Sequence, residues 1–293
     1  MSWINFFFFV IILNTLTGTI AYFLCKLLAW VAERIGAVRI IYPMYRLVQV
    51  FYIVPIGFLY NRFRYYFFVH ADVIGDLFFG NGTIRFVVKI LSLIWVGGMI
   101  ATALYYLWKY RFFLWTRWKN VPFFDDELMK VLKRCYPKVN WNKVTLCTNF
   151  TMESPCVMGT FRHDLVIPEV KYPRDYLTVI LMHEATHIAR HDNLWKKVAM
   201  GIAIVNWFNF ALFFYVKDLD EWSDTSCDIT VCSKSLGNHS KFYFEVLLKT
   251  RAIGRSVIPP FVSQLNKTSY LTRRVERMTK WTKNGKKYWL VSC

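Results

Sequence analysis

The first 25 residues carry no charged side chain, and "NFFFFVIILNTLTGTIAYFLC" within them is apolar almost without interruption. About 20 such residues cross the hydrocarbon core of a bilayer as a helix, so the pattern predicts a first transmembrane helix. A secretory signal would need a basic start and a shorter apolar core, and "MSWIN" has no basic residue. A second block, "LVQVFYIVPIGFLY" (47–60), is short for a crossing and becomes adequate only if "IIYPMY" joins it and Arg46 snorkels. The third, "ILSLIWVGGMIATALYYLW" (90–108), is uncharged and long enough. A fourth, "VAMGIAIVNWFNFALFFYV" (198–216), reads as a span by hydropathy. Asn206 and Asn209 would be costly facing lipid, however, so a buried or membrane-lying helix fits it equally well.

Beyond residue 120 the pattern changes. "FFDDELMKVLKRC" (123–135) has helical spacing with acids at its start. "KVTLCTN" (143–149), "PCVMGTF" (155–161) and "DLVIP" (164–168) are short β-prone runs divided by turn residues. "YPRDYLTVILMHEATHIARHD" then opens near Pro173, a favoured first-turn residue, and returns to helical spacing. Further helices are expected at 239–252 and 268–280. A helix, a small sheet and another helix in that order make an α+β arrangement. The expected organisation is a multi-span helical membrane region at 1–119, an α+β domain at 120–280 that includes the hydrophobic 198–216 helix, and a basic tail at 281–293.

Composition supports a membrane protein: 55% of residues are hydrophobic and 19% aromatic, against roughly 45–50% apolar in soluble domains. The net charge of +18 would ordinarily suggest nucleic acid. Here the basic residues cluster beside apolar segments, in "KYRFFLWTRWKN" and "KNGKKYW", as the cytoplasmic flanks of membrane helices do. Lipid is therefore the expected partner, and no direct nucleic acid binding is expected. With the uncharged N-terminus outside, three crossings bring residues from 109 onward to the cytoplasm. The seven cysteines form no CxxC pair, which fits a reducing compartment and argues against a disulfide scaffold or a cysteine-type metal site.

"ILMHEATHIARHDN" (180–193) carries the chemistry. On a helix, His183 and His187 share a face and can present both imidazoles to one metal ion, with Glu184 beside the first as general base. The bland alternative is a helix whose histidines only cap or pair. A third ligand decides between them. In the HExxHxxGxxH class it comes from the same motif, but here Arg190 and Asn193 stand at the glycine and final histidine positions, so that class is excluded. His191 reads as a surface residue. In the gluzincin arrangement an acid on a later helix serves, and "DEWSDTSCDITVC" (220–232) offers Asp224 and Asp228 four apart, with Glu221 one turn from Asp224. Asp224 could bind metal and Asp228 could accept the outer N–H of a ligand histidine. A solvated helix face is the competing reading of these acids.

These pieces resemble the BlaR/MecR-type integral-membrane metallopeptidases, which are gluzincins. "SPCVMGTFRHDLVIPE" (154–169) resembles the family's edge-strand segment, and "LMHEATHIARHDNLWK" its HExxH helix with Asp192 and Asn193 just after. "NWFNFALFFYVKDLDEWSDTSCD" is similar to the segment with a Trp-Phe-Asn signature, a later acidic ligand and a Cys-Asp pair; "YLTRRVERM" resembles a basic helix beyond the catalytic core. The resemblance covers most of residues 85–280. It implies Zn2+ held by His183, His187 and Asp224, with Glu221 as the alternative third ligand, Glu184 as base and Asp228 supporting a ligand histidine. The family usually has glutamate where Asp224 stands, and Phe210 replaces a proline, which should let the 198–216 helix run straighter.

The activity so implied is zinc-dependent endopeptidase cleavage at the cytoplasmic face of the plasma membrane, Glu184 taking the proton of a water acidified by the metal. The substrate strand is expected along the edge formed by Val157, Met158, Gly159 and Thr160. A protein partner is expected, either a transcriptional repressor or another regulator, or the chain itself, and a homodimer is a candidate assembly. Because the chain ends at Cys293 without a Ser-x-x-Lys motif, it is expected not to sense β-lactams itself. Input would come from another protein or from the segment 62–85, unless the chain is a fragment. The alternative is a non-catalytic membrane scaffold that keeps the metallopeptidase fold. A third reading, a prenyl-protein or heat-shock type membrane protease, is disfavoured by the Trp-Phe-Asn and Cys-Asp signatures.

Overall fold

The computed structural model describes residues 3–56, 59, 82–152, 154–234, 242–243, 245–246, 249 and 272–279. The helices are α1 (Trp3–Ile35), α2 (Ile41–Ile53), α3 (Gly82–Trp118), α4 (Asp126–Cys135), α5 (Arg174–Ala189), α6 (Asp192–Val205) and α7 (Phe210–Lys234). Residues 272–279 are also helical. The segment 62–81, part of the expected input segment, lies outside the described residues, as does the tail beyond 279. Two interleaved units emerge from the contacts: Met1–Val31, Pro43–Tyr110 and Val198–Leu219 form the first, and Ala32–Tyr42, Arg111–Lys197 and Asp220–Cys293 the second.

The first unit is helical. Phe6–Ile35 and Gly82–Trp118 are long and apolar enough to cross a membrane by length and composition. Leu16, Ile20, Leu104 and Leu107 on these helices are exposed. The inner faces meet in a cluster of Phe8, Val88 and Trp95, backed by Ile11, Ile12, Met99 and Val205. Helix α3 runs 37 residues, about 55 Å at 1.5 Å per residue, well beyond the 90–108 stretch that hydropathy marks. Helix α2 begins at Ile41 and ends at Ile53, two residues before Pro55, whose missing N–H and ring disfavour continuation.

The expected straight helix over 198–216 does not form. α6 stops at Val205 and α7 starts at Phe210. The asparagines explain the break. Asn209 Oδ1 accepts the backbone N–H of Ala211 at 3.0 Å, a capping bond that opens α7. Asn206 Nδ2 donates to Ile202 O at 2.9 Å, and Asn206 Oδ1 takes the Thr15 hydroxyl. Asn209 Nδ2 donates to Thr19 Oγ1 at 2.9 Å. Both amides are thus satisfied by protein rather than left to lipid. The intervening Trp207 donates through Nε1 to Trp95 O at 3.1 Å, while Trp95 Nε1 donates to Val205 O at 2.8 Å. Gly98 makes room for the Trp207 ring; a Cβ there would stand 2.1 Å from it.

The second unit is built on a four-stranded sheet in the order β1-β2-β4-β3. Its strands are β1 (Val121–Pro122), β2 (Val144–Asn149), β3 (Cys156–Met158) and β4 (His163–Pro168). β2 and β4 run parallel with Leu146 opposite Leu165, and β1 and β3 pair antiparallel on the two outer sides. Leu165, Val166 and Ile167 are buried, as expected of a strand covered on both faces. Helix α4 is capped by Asp125, whose carboxylate accepts the Leu128 N–H at 3.0 Å, and it buries Leu128 and Leu132. Helix α5 packs against α4, β3 and β4. The residue after α4, Tyr136, donates its hydroxyl to Met182 O at 2.9 Å and so fixes α5 at its middle.

Candidate metal centre

Helix α5 is buried along most of its length: Val179, Ile180, Leu181, Met182, Ala185 and Ile188 are in the core. On this rigid rod His183 and His187, four residues apart, bring their rings to a centroid separation of 5.0 Å at 77°. Helix α7 supplies the acids. Asp224 Oδ1 lies 3.5 Å from His187 Nε2, and Asp228 Oδ1 lies 3.1 Å from His183 Nδ1.

Past the end of α5, Arg190 caps the helix and His191 takes φ 56°, a left-handed turn that reverses the chain into α6. Asp192 then points back at the helix it has just left: its Oδ2 meets His187 Nδ1 at 2.7 Å. Asp192 is completely buried. A carboxylate only accepts, so each Nδ1 facing one carries the proton and each Nε2 is left with its lone pair outward. Two imidazoles so prepared, with a carboxylate at the Nε2 side of His187, are a donor set that fits a divalent metal.

The electrostatics agree. Burial would raise the Asp228 carboxyl, but the Arg274 charge and the hydrogen bonds from His183 and Arg274 prevail and hold it well below the usual carboxylate range. Arg274 clamps it bidentately, Nε to Oδ2 at 2.8 Å and Nη2 to Oδ1 at 2.6 Å. Tyr243 donates its hydroxyl to the same Oδ1 at 2.6 Å and sits 3.0 Å from His183 Nδ1. Asp192 is likewise held low: burial opposes ionisation, but the His187 hydrogen bond and the Arg190 charge outweigh it. Asp224 is lowered too, the Arg274 and His187 charges overcoming burial. Glu184 goes the other way. Burial pushes it up to about 7, His187 restrains the rise, and Asp224 adds to it.

The remaining sequence candidates fall as follows. Glu221 pairs with Arg273 at 2.7 Å and Arg277 at 3.5 Å. Cys227, not expected at the site, forms with His183 and His187 a group whose ligand atoms all lie within 4.8 Å of one another. Its Sγ, however, is 3.4 Å from His187 Nδ1, the nitrogen that Asp192 already occupies. Burial raises its thiol well above the ordinary value despite Arg190. Asp224 stands instead at the other nitrogen of His187, Oδ1 to Nε2 at 3.5 Å, so both residues are candidate third donors.

The sheet order makes β3 an edge strand. Val157 and Met158 lie in it, whereas Gly159 and Thr160 form the turn that follows. The carbonyls of Val157 and Gly159 accept Asn193 Nδ2 at 3.1 and 2.8 Å. Gly159 adopts φ +94°, and the Thr160 hydroxyl is buried without a partner.

Sequence reasoning missed the orienting role of Asp192 and the parts played by Tyr243 and Arg274. Asp192 follows His187 by five, a spacing with no helical meaning once the chain turns at His191. Tyr243 and Arg274 come from 60 and 46 residues away from their partners.

The chain is also similar in sequence to known proteins. The BlaR1 peptidase M56 family matches residues 79–278. The methicillin resistance mecR1 protein of Staphylococcus aureus is 26% identical over 165 residues, 54% of this chain and 28% of that protein, and its namesake in Staphylococcus epidermidis aligns to the same extent. The regulatory protein BlaR1 of Bacillus licheniformis is 29% identical over 141 residues, 46% of this chain and 23% of that protein. The alignments thus span about a quarter of the length of these curated relatives. The family match takes in the HExxH helix, the acids of α7 and the Arg274 clamp, and with it the chain belongs to the BlaR1 peptidase M56 family.

Proposed function

We propose that the chain is a membrane-bound zinc metalloendopeptidase that cleaves a regulatory protein, or itself, in signal transduction. The observation that carries this reading is the pair of buried carboxylates, Asp228 and Asp192, at the outer nitrogens of the two HExxH histidines. A helix with incidental histidines has no need of such fixed partners, whereas metal-ligating histidines regularly have them. His183, His187 and Asp224 would hold the ion. Zinc bound there would acidify a water and polarise a peptide carbonyl.

The residues of the chain do the rest. Glu184, with its carboxyl near 7, is suited to take a proton at neutral pH and return it to the leaving amine. Asp192 and Asp228 hold the imidazoles in one tautomer. A substrate would lie extended against the outer side of β3, backbone to backbone, next to Val157 and Met158. The names of the relatives, a regulatory protein and a methicillin resistance protein, favour a regulator, such as a transcriptional repressor, as the polypeptide cleaved. The long apolar helices and the basic run 109–119 favour a multi-pass protein with its peptidase unit in the cytoplasm.

The test is metal content and cleavage in the detergent-purified chain. About one zinc per chain is expected, lost in His183→Ala and Asp224→Ala. Glu184→Gln should keep the zinc but lose cleavage of quenched fluorescent peptides. No zinc in the parent, or no cleavage by it, would sink the protease reading and favour the scaffold; undiminished cleavage by Glu184→Gln would remove Glu184 as the base.

A further inference from the structure

The acid that orients His187 is itself held by a residue from the other end of the chain. Helix α1 ends at Ile35, and the chain reverses through Gly36 at φ +81° with Ala37 N donating to Ala32 O at 2.8 Å, a helix-terminating bond that satisfies a free carbonyl. A short 3-10 turn, Val38–Ile40, leads into α2. Val38, Ile41 and Tyr42 are buried. The whole stretch Ala32–Tyr42 belongs to the second unit, the unit of the metal centre.

Tyr42 donates its hydroxyl to Asp192 Oδ1 at 2.7 Å, across 150 residues of sequence. The other oxygen, Oδ2, receives His187 Nδ1 at 2.7 Å, Arg190 Nη2 at 2.7 Å and Ser223 Oγ at 3.0 Å. The Arg190 guanidinium also stacks on the Tyr42 ring, 4.7 Å from its centroid. The two carboxylate oxygens are therefore gripped from different directions. Without the Tyr42 hydroxyl, Oδ1 is left in a fully buried site with its lone pairs unpaired, a loss the carboxylate relieves by rotating about its Cβ–Cγ bond. That rotation moves Oδ2 relative to His187 Nδ1.

We propose that Tyr42 is a positioning residue of the metal centre, acting through Asp192 to fix the imidazole of His187. The turn between the first two helices is thereby a working part of the peptidase site. This rests on the metalloprotease reading, and the experiment separates the two.

Zinc affinity is measured by competition with a chromophoric chelator on the full chain in detergent, for the parent, Tyr42→Phe, Asp192→Asn, the double variant and His183→Ala. Asp192→Asn should weaken zinc 10–100-fold, the usual effect of losing an outer partner of a ligand histidine. Tyr42→Phe keeps the ring under Arg190 and should weaken zinc about 3–10-fold, a smaller effect because it acts one step further out. In the Asp192→Asn background the same change should do nothing more, since its path to His187 is already cut; a merely structural tyrosine would cost the same in both backgrounds. Tyr22→Phe is the control: it loses a comparable bond to Asp218 in the first unit and should bind zinc like the parent. Parental affinity in Tyr42→Phe, or an equal loss in both backgrounds, overturns the proposal while leaving the protease reading intact. A parent without zinc, or a His183→Ala that binds it as well as the parent does, overturns both.

Discussion

Asp228 meets the outer nitrogen of His183 at 3.1 Å while both of its oxygens are clamped by Arg274. The pair is buried, with side-chain exposures of 0% for the acid and 12% for the arginine. Removing one partner of such a pair leaves the other charge stranded, which costs about 3–5 kcal/mol. Asp228→Ala is therefore expected to lower the unfolding temperature of the purified chain. It should also weaken zinc 10–100-fold, because His183 loses its orienting acceptor. Thermal unfolding and chelator competition read the two effects separately. Unchanged zinc affinity would mean that His183 does not bind through the nitrogen opposite Asp228.

The third ligand is open to a direct comparison. Cys227 and Asp224 both lie near His187, on opposite nitrogens, and Glu221 is engaged with Arg273 and Arg277. Cys227→Ala and Glu221→Gln should each keep one zinc per chain by mass spectrometry, and Asp224→Ala should lose it. The opposite pattern, zinc lost with Cys227 and kept without Asp224, would make the thiolate the ligand and Asp224 a bystander.

The parts of this site that were readable in the sequence are those with local periodicity. His183 with His187, and Asp224 with Asp228, follow the four-residue spacing of a helix face, so their juxtaposition needs only the helix. Asp192 escaped because its approach to His187 depends on a single left-handed residue, His191, and no periodic pattern encodes that. Tyr42, Tyr243 and Arg274 arrive by tertiary packing. The break at 206–209 was hidden as well. The two asparagines were visible as residues costly to lipid, but no periodic pattern tells that their amides cap and pair within the protein. The three longer strands announced themselves by β-branched runs, but β1, of two residues, is too short to leave a pattern. The interleaving of the two units was equally invisible, since composition changes along the chain while α1, α3 and α7 each contribute to both.

Gly159 sets the turn after β3. Its φ of +94° is one that side-chain-bearing residues rarely adopt, and a Cβ there would stand 2.0 Å from Arg162 O. Gly159→Ala should destabilise the chain by about 1–3 kcal/mol. Gly97→Ala is the contrast: nothing lies within 4 Å of its added Cβ, it sits inside α3, and alanine favours the helix, so the unfolding temperature should hold or rise. A Gly159→Ala chain as stable as the parent would show that the turn is readily rebuilt.

Asn193 joins the edge strand to the helix that follows the histidines, one side-chain amide serving the carbonyls of both Val157 and Gly159. Each bond contributes on the order of 1 kcal/mol, enough to hold a short edge strand in place without fixing the fold. Neither contact involves an imidazole of His183 or His187. If substrate pairs with β3, Asn193→Ala should raise KM several-fold for a quenched fluorescent peptide that the parent cleaves, leaving kcat and zinc affinity near parental values. Asn193→Asp should do more harm, because a carboxylate would face two carbonyl oxygens with no hydrogen to offer either. A fall in kcat and zinc affinity with KM unchanged would instead tie Asn193 to the placement of Asp192, its neighbour in sequence, and would remove the support for substrate pairing along β3.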